Sequence, residues 1–433
     1  MKNIKIIKFI IIGAFLFLLA YINKERIPVP VELKTFDFIM SSGIDIIISD
    51  NAGSSNDNSV SVSYISSEDI NQESEKPNAN KNIFNVKAAT FNKATEQLQS
   101  LTNKSLNDSH LEYILIGEAT AKENLGYLIK HYSKSPSVRL DASMFVTKDM
   151  TSEKFIEKIL TSEVDVNARI NTLLNDKTQI SSTIKKNLKD LLQIFYSKDK
   201  TGLIPVLETV ESPIKNVDEN SDDSNNSDDT HSNDSDNTDN TESSDESSEK
   251  KYTFRFYGLG IIKDGKLTDY LESSLVRSYI VLTKNLRCTD IEIIDEKGDL
   301  SAFPVKSSQN KISFAFDGEN PNKPSKVIFN INIDTNFDET TAAEKILTDE
   351  NIPILNEYQS EVIKSEIEKI IEKSKETGAD FLNIGRTFSI QHPYKWHFIE
   401  KDWNNIFKNL DCEINVETRI KRYYNINSYE TIG

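Results

Sequence analysis

LEYILIGEATAKENLGYLIKHYSKSPSVRLDASMFVT, residues 111–147, is the stretch that sets the fold. Its first seven residues, Leu111 to Gly117, form a compact apolar run of strand length. The next segment, Ala121 to Ser133, changes period: Leu125, Leu128 and Ile129 fall on one face of a helix, and Pro136 ends it. Val138 to Thr147 then returns as a strand. Strand, helix and strand in so short a span make the clearest α/β unit in the chain.

The flanks extend this pattern. FDFIMSSGIDIII is a first strand, and SVSVSYI, inside the polar spell from Asn51 to Lys81, alternates like another. A helix is expected around Ala88 to Leu101. Residues 151–198 read as further helix, with an apolar face through Phe155, Ile159, Leu188, Leu191, Leu192 and Phe195. YTFRFYGLGIIKDGKL, residues 252–267, reads as two strands joined through Gly258 with a turn at Asp264-Gly265. Near the end, KISFAFDG and VIFNINID alternate. CEINVETRI sets Cys412, Ile414, Val416 and Ile420 on one face. Between them Val362, Ile363, Ile367, Ile370 and Ile371 form the stripe of a long helix that Gly378 terminates. The expected fold class is α+β or mixed α/β. Three mixed sheet-and-helix domains span residues 26–200, 201–285 and 286–433, the last an antiparallel sheet under one amphipathic helix.

Residues 1–25 are set apart. Phe9 to Ile22 is an unbroken apolar run of 14 residues, and only Lys5 and Lys8 interrupt the 19 residues from Ile4 to Ile22. At roughly 1.5 Å per residue, with both lysines reaching toward headgroups, this length nearly crosses the hydrocarbon. Lys2, Lys5 and Lys8 precede the run, which places the N-terminus in the cytoplasm and the body outside. A cut after Ala20 would put Leu18 at the outer recognition position, so the segment reads as an uncleaved anchor, with a cleaved signal peptide as the alternative.

The formal net charge of −17 is concentrated. Residues 217–249 hold 13 acidic residues and no Lys or Arg, with Val217 the only apolar residue. Such a tract cannot offset its ordering entropy and is expected as a disordered acidic insertion. It contains no EF-hand loop, since the pivotal glycine is missing. The remainder is close to neutral and has no basic patch with interleaved aromatics, so nucleic acid is not an expected partner. Two cysteines, Cys288 and Cys412, allow one bridge without requiring it.

Four stretches together resemble a known family. SHLEYILIGEATAKENLGYLIKHYSKSPSVRLDASMFVTKD, residues 109–149, resembles the most recognisable block of the GerAC, or Ger(x)C, spore germination proteins. FDFIMSSGIDI resembles the family's first strand and GLGIIKDGKLTDYL its middle-domain hairpin. DFLNIG, followed by His392, Pro393, Trp396 and Trp403, resembles its C-terminal signature. The resemblance implies three α/β domains and a non-enzymatic C subunit of a nutrient germinant receptor. That subunit would lie on the outer face of the spore inner membrane beside integral A and B subunits, without a cofactor. Two features depart from the family pattern. No lipid-modified cysteine follows the apolar run, and the acidic tract is an insertion. The anchor helix thus stands in for acyl chains.

Several residues are of types that carry chemistry. Ser109 and His110 are neighbours whose side chains would diverge on a strand, so they form no nucleophile–base pair. His392 and His397, with Glu400 and Asp402, have no zinc spacing, and Trp396 and Trp403 beside them read as packing residues. GLGIIKDG lacks the ending of a phosphate-binding loop. Asp380 and Gly385 read as turn and packing residues. No catalytic, cofactor-binding or metal residue is assigned. The competing reading is a membrane-anchored extracytoplasmic hydrolase acting on cell-wall polymer, which needs convergent carboxylates in a deep pocket.

Overall fold

A computed structural model describes residues 13–15, 17, 21, 35–47, 59–66, 83–175, 183–213, 250–283, 290–295, 298–318, 320–342 and 347–422. The first sheet holds β1 (Phe36–Ile47), β2 (Ser59–Ser66), β3 (Ile83–Ala88), β4 (Ser105–Asn107), β5 (Tyr113–Gly117), β6 (Ser143–Thr147), β7 (Gly202–Glu211), β8 (Tyr252–Lys263) and β9 (Lys266–Glu272). Its order is β3-β2-β1-β5-β6-β7-β8-β9, with β4 pairing β1 at one end. The four middle strands β1, β5, β6 and β7 are mutually parallel, and both margins are antiparallel.

Every residue of β5 and β6 is buried, because parallel central strands are covered on both faces. Ile114, Ile116, Met144 and Val146 pack on one side with the helices Phe91–Leu101, Leu125–Tyr132 and Leu188–Tyr196. Tyr113, Leu115 and Phe145 pack on the other with the helices Ser152–Thr161 and Val166–Asn175. Within the opening stretch the elements are shorter than their apolar pattern. The first strand starts at Tyr113, although Leu111 is buried. The helix begins directly at Glu118 and breaks at Asn124 into two pieces. The second strand is only Ser143–Thr147, because Arg139 and Ala142 close a turn before it.

The expected boundary at residue 200/201 runs through this sheet. β7, β8 and β9 continue it instead of forming a middle domain of their own, since β7 pairs with β6 in parallel. Tyr252 to Lys263 is one strand, not two joined through Gly258. Gly258, at φ +146, sits where a bulge shifts the register against β7. The turn at Asp264-Gly265 has positive φ at both residues, as a two-residue hairpin requires.

The second sheet runs β10 (Asp290–Ile294), β11 (Leu300–Ala315), β12 (Lys326–Asn336), β14 (Asp411–Arg422), with β13 (Glu339–Thr340) on β11. It is mixed where an antiparallel sheet was expected: β14 is parallel to β12, from Lys326 opposite Asp411 to Asn336 opposite Arg422. The intervening crossover carries the Asn351–Thr377 helix, which supplies the length a parallel return needs. Ile363, Ile367 and Ile370 of that helix are fully buried, and Gly378 ends it in the left-handed region at φ 63. One core joins the two sheets: Leu203, Leu259, Ile261 and Leu271 of the first cluster with Phe303, Phe329, Ile363 and Ile367 of the second.

Gly13–Phe15, Phe17 and Tyr21 are helical and exposed, whereas the rest of the expected anchor lies outside the described residues. Among the described residues, no helix is long and apolar enough to cross a membrane. The acidic tract 217–249 also lies outside them, as does Cys288; Cys412 is half-buried and free. The residues flanking the tract are paired. Glu211 stands opposite Tyr252, and the Ser212 N–H donates to the Lys251 carbonyl at 2.8 Å.

Candidate functional site

A cleft of about 610 Å³ opens beside the start of β7. One wall is the Leu188–Tyr196 helix and the loop after it, which bring Asp190, Gln193, Lys198 and Asp199. The other is the segment from Asp380 to Asn404. Of three contacts between the two halves of the chain, the first joins the walls themselves. Lys198 Nζ pairs with Glu400 at 2.5 Å, Lys373 pairs with Asp269 at 2.6 Å, and Lys263 Nζ donates to the Gly378 carbonyl.

Asp380 organises the second wall. The chain turns sharply after Gly378, and Asn383 adopts a left-handed conformation just before the Ile384–Gln391 helix. That helix starts with unpaired N–H groups, and the Asp380 carboxylate accepts two of them, from Ile384 at 2.8 Å and Gly385 at 2.7 Å. The same carboxylate accepts the Trp403 indole N–H at 3.2 Å. Burial pushes the Asp380 carboxyl up to about 6, against the pull of its three donors. Gly385 is needed because a Cβ there would overlap the Trp403 ring. Asp380 and Gly385 thus hold the turn and the packing of Trp403 together.

The remaining carboxylates of the cleft are also engaged. Asp190 accepts the Asn187 N–H at 3.1 Å in a capping box, Asp199 accepts the Ser197 hydroxyl at 2.9 Å, and Glu400 is paired with Lys198.

The histidines weighed from the sequence are placed apart from this chemistry. Ser109 and His110 lie in a turn, not on a strand, and the His110 ring packs edge-on to Phe38 at 4.6 Å. His392 packs on Phe316 at 5.3 Å and Phe388 at 5.1 Å, and burial, with Lys395 beside it, holds its pKa below the ordinary value. Trp396 and Trp403 pack together with ring centres 5.3 Å apart. Among the described residues, no group of three or more His, Cys, Asp or Glu is placed to hold a metal ion.

Two buried acids that organise the first sheet were not singled out from sequence. Asp45 of β1 accepts the Ser152 N–H at 3.0 Å, the Ser152 hydroxyl at 2.8 Å and the Glu153 N–H at 3.1 Å, capping the Ser152–Thr161 helix across the sheet. A lone carboxylate inside the apolar GIDII was the signal for it. Glu118, at the end of the IGE motif, accepts the Asp149 N–H and pairs with Lys122 at 2.5 Å. Burial pushes Glu118 upward, but Lys122, Tyr270 and the Asp149 N–H outweigh it and hold the carboxyl below its ordinary value.

Residues 30–209 match the family described as the spore germination protein N-terminal domain. Residues 257–424 match the family described as spore germination B3/GerAC like, C-terminal. The two matches follow in order, and the acidic tract falls between them. A solved structure titled "Crystal Structure of the GerBC protein" is similar over 88% of this chain and 97% of that chain, at 15% identity and a TM-score of 0.48. No curated protein matches the sequence.

Proposed function

This chain belongs to the GerAC, or Ger(x)C, family of spore germination proteins, and from that premise we propose that it is the C subunit of a nutrient germinant receptor. The observation that carries the reading is the pair of family matches, which follow in order and together cover most of the chain. The subunit acts without catalysis, as an adaptor beside integral A and B subunits, with its body on the outer face of the spore inner membrane. Attachment through residues 1–25 would confine the body to two dimensions and raise its effective concentration near those partners.

Deletion of the gene in a sporulating host tests the proposal. Nutrient-triggered germination should fall, and the full-length chain supplied in trans should restore it. Unchanged germination, together with unchanged levels of the other receptor subunits, would overturn it.

A further inference from the structure

The short helix Pro393–Ile399 has its polarity reversed on the outside. Its inner side is already used: Ile399 is buried, and Trp396 packs on Trp403. Its lysine, Lys395, folds back over the Phe316 ring with Nζ 3.3 Å from the centroid. What remains outward is large and apolar. Tyr394 is 87% exposed, Phe398, one turn later, is 70% exposed, and Ile390 at the end of the preceding helix is 71% exposed. Scattered exposed apolar residues need no explanation, but three within nine residues mark a contact surface.

The charges beside them indicate the kind of surface they meet. Residues 384–408 carry four basic residues against two acidic ones, in a chain whose formal net charge is −17. One of the two acids, Glu400, is neutralised by Lys198, whose own side chain is still largely exposed. Arg386 and Lys401, both exposed, line the cleft rim beside the same helix. Tyr196, also exposed, ends the helix that leads to Lys198. Aromatic and aliphatic side chains flanked by Lys and Arg match a bilayer interface: the rings settle at headgroup depth and the cations meet anionic lipid.

We infer that Ile390, Tyr394 and Phe398, with Arg386 and Lys401, form a second contact of this body with an anionic membrane surface. It rests on the membrane placement proposed above and adds an orientation to it.

The full-length chain, with Cys288 and Cys412 replaced by serine, tests this. One form carries His397→Cys and another Tyr127→Cys, a partly exposed position on the first domain, each labelled with an environment-sensitive fluorophore. Both are reconstituted into phosphatidylcholine vesicles with or without phosphatidylglycerol and a headgroup-level quencher lipid. The label at 397 should be quenched several-fold more with phosphatidylglycerol present, and the label at 127 should not change. Combining Ile390→Ser, Tyr394→Ser and Phe398→Ser should abolish the quenching while circular dichroism stays the same. If the chain floats with vesicles but position 397 stays as aqueous as 127, the inference fails and the membrane reading stands. Protection of 397 only when integral subunits are co-reconstituted would assign the patch to protein and also overturn it. If the chain does not float, both fall.

Discussion

The Asp380 carboxylate accepts the Trp403 indole N–H at 3.2 Å while also holding the first N–H groups of the Ile384–Gln391 helix. One buried acid thereby sets where a helix starts and where the next segment packs. The family-like DFLNIG motif and its downstream tryptophan are two ends of the same structural node.

The node predicts a pH dependence. The Asp380 carboxyl is raised from an ordinary 3.8 to about 6 in the folded protein, so folding favours its protonated form. Its stabilising contribution is complete below the unfolded pKa and is lost as pH rises through the folded one. Relative to wild type, Asp380→Asn should therefore gain about 2 kcal/mol between pH 4 and 7. Urea denaturation of both proteins across that range checks this, and a flat difference would contradict it.

Gly117 and Asp45 should be coupled. A Cβ at 117 would overlap the Asp45 carboxylate that caps the Ser152–Thr161 helix. Gly117→Ala should cost about 2–4 kcal/mol, and much less once Asp45→Ala has removed the obstructing oxygen. A double-mutant cycle by denaturation measures the coupling. Additivity within about 0.5 kcal/mol would show that the clash is relieved elsewhere.

The acidic tract should be removable. Glu211 and Tyr252 are cross-strand partners, so residues 214–249 connect two strands already held side by side. Replacing them with a short Gly-Asn turn shortens the loop about eightfold, which by chain statistics stabilises by about 2 kcal/mol. The unfolding midpoint should rise or hold. A clear fall would show that the tract packs on the folded body.

Residues 1–25 should account for membrane retention. Removing them should release the chain, or leave only salt-sensitive binding through Arg386 and Lys401 beside Tyr394 and Phe398. Inhibiting lipoprotein acylation should change nothing, because no cysteine precedes Cys288. A mobility shift under that inhibition, read on a gel after fractionation, would refute the anchor.

Local order was legible because it is encoded locally. The period change from LEYILIG to LGYLIKHY marks β5 and the helix after it. The isoleucine stripe with Gly378 marks the long helix and its end, and Asp264-Gly265 demands its own turn. What Asp45 and Glu118 do was not legible, since their partners, Ser152 and Asp149, lie 107 and 31 residues away. The same holds for Lys198, whose partner Glu400 lies 202 residues on.

By itself, the sequence determined the α/β unit of residues 111–147, the long helix, the Asp264-Gly265 turn and the family, all carried by spacing and short motifs. Only the tertiary structure decided that β7 to β9 join the first sheet and that β14 returns parallel to β12. It also decided that the two sheets share one core beside the cleft. Strand neighbours are selected by burial of both faces and by hydrogen bonding between distant segments, and periodicity along the chain carries no record of which edge a strand will meet.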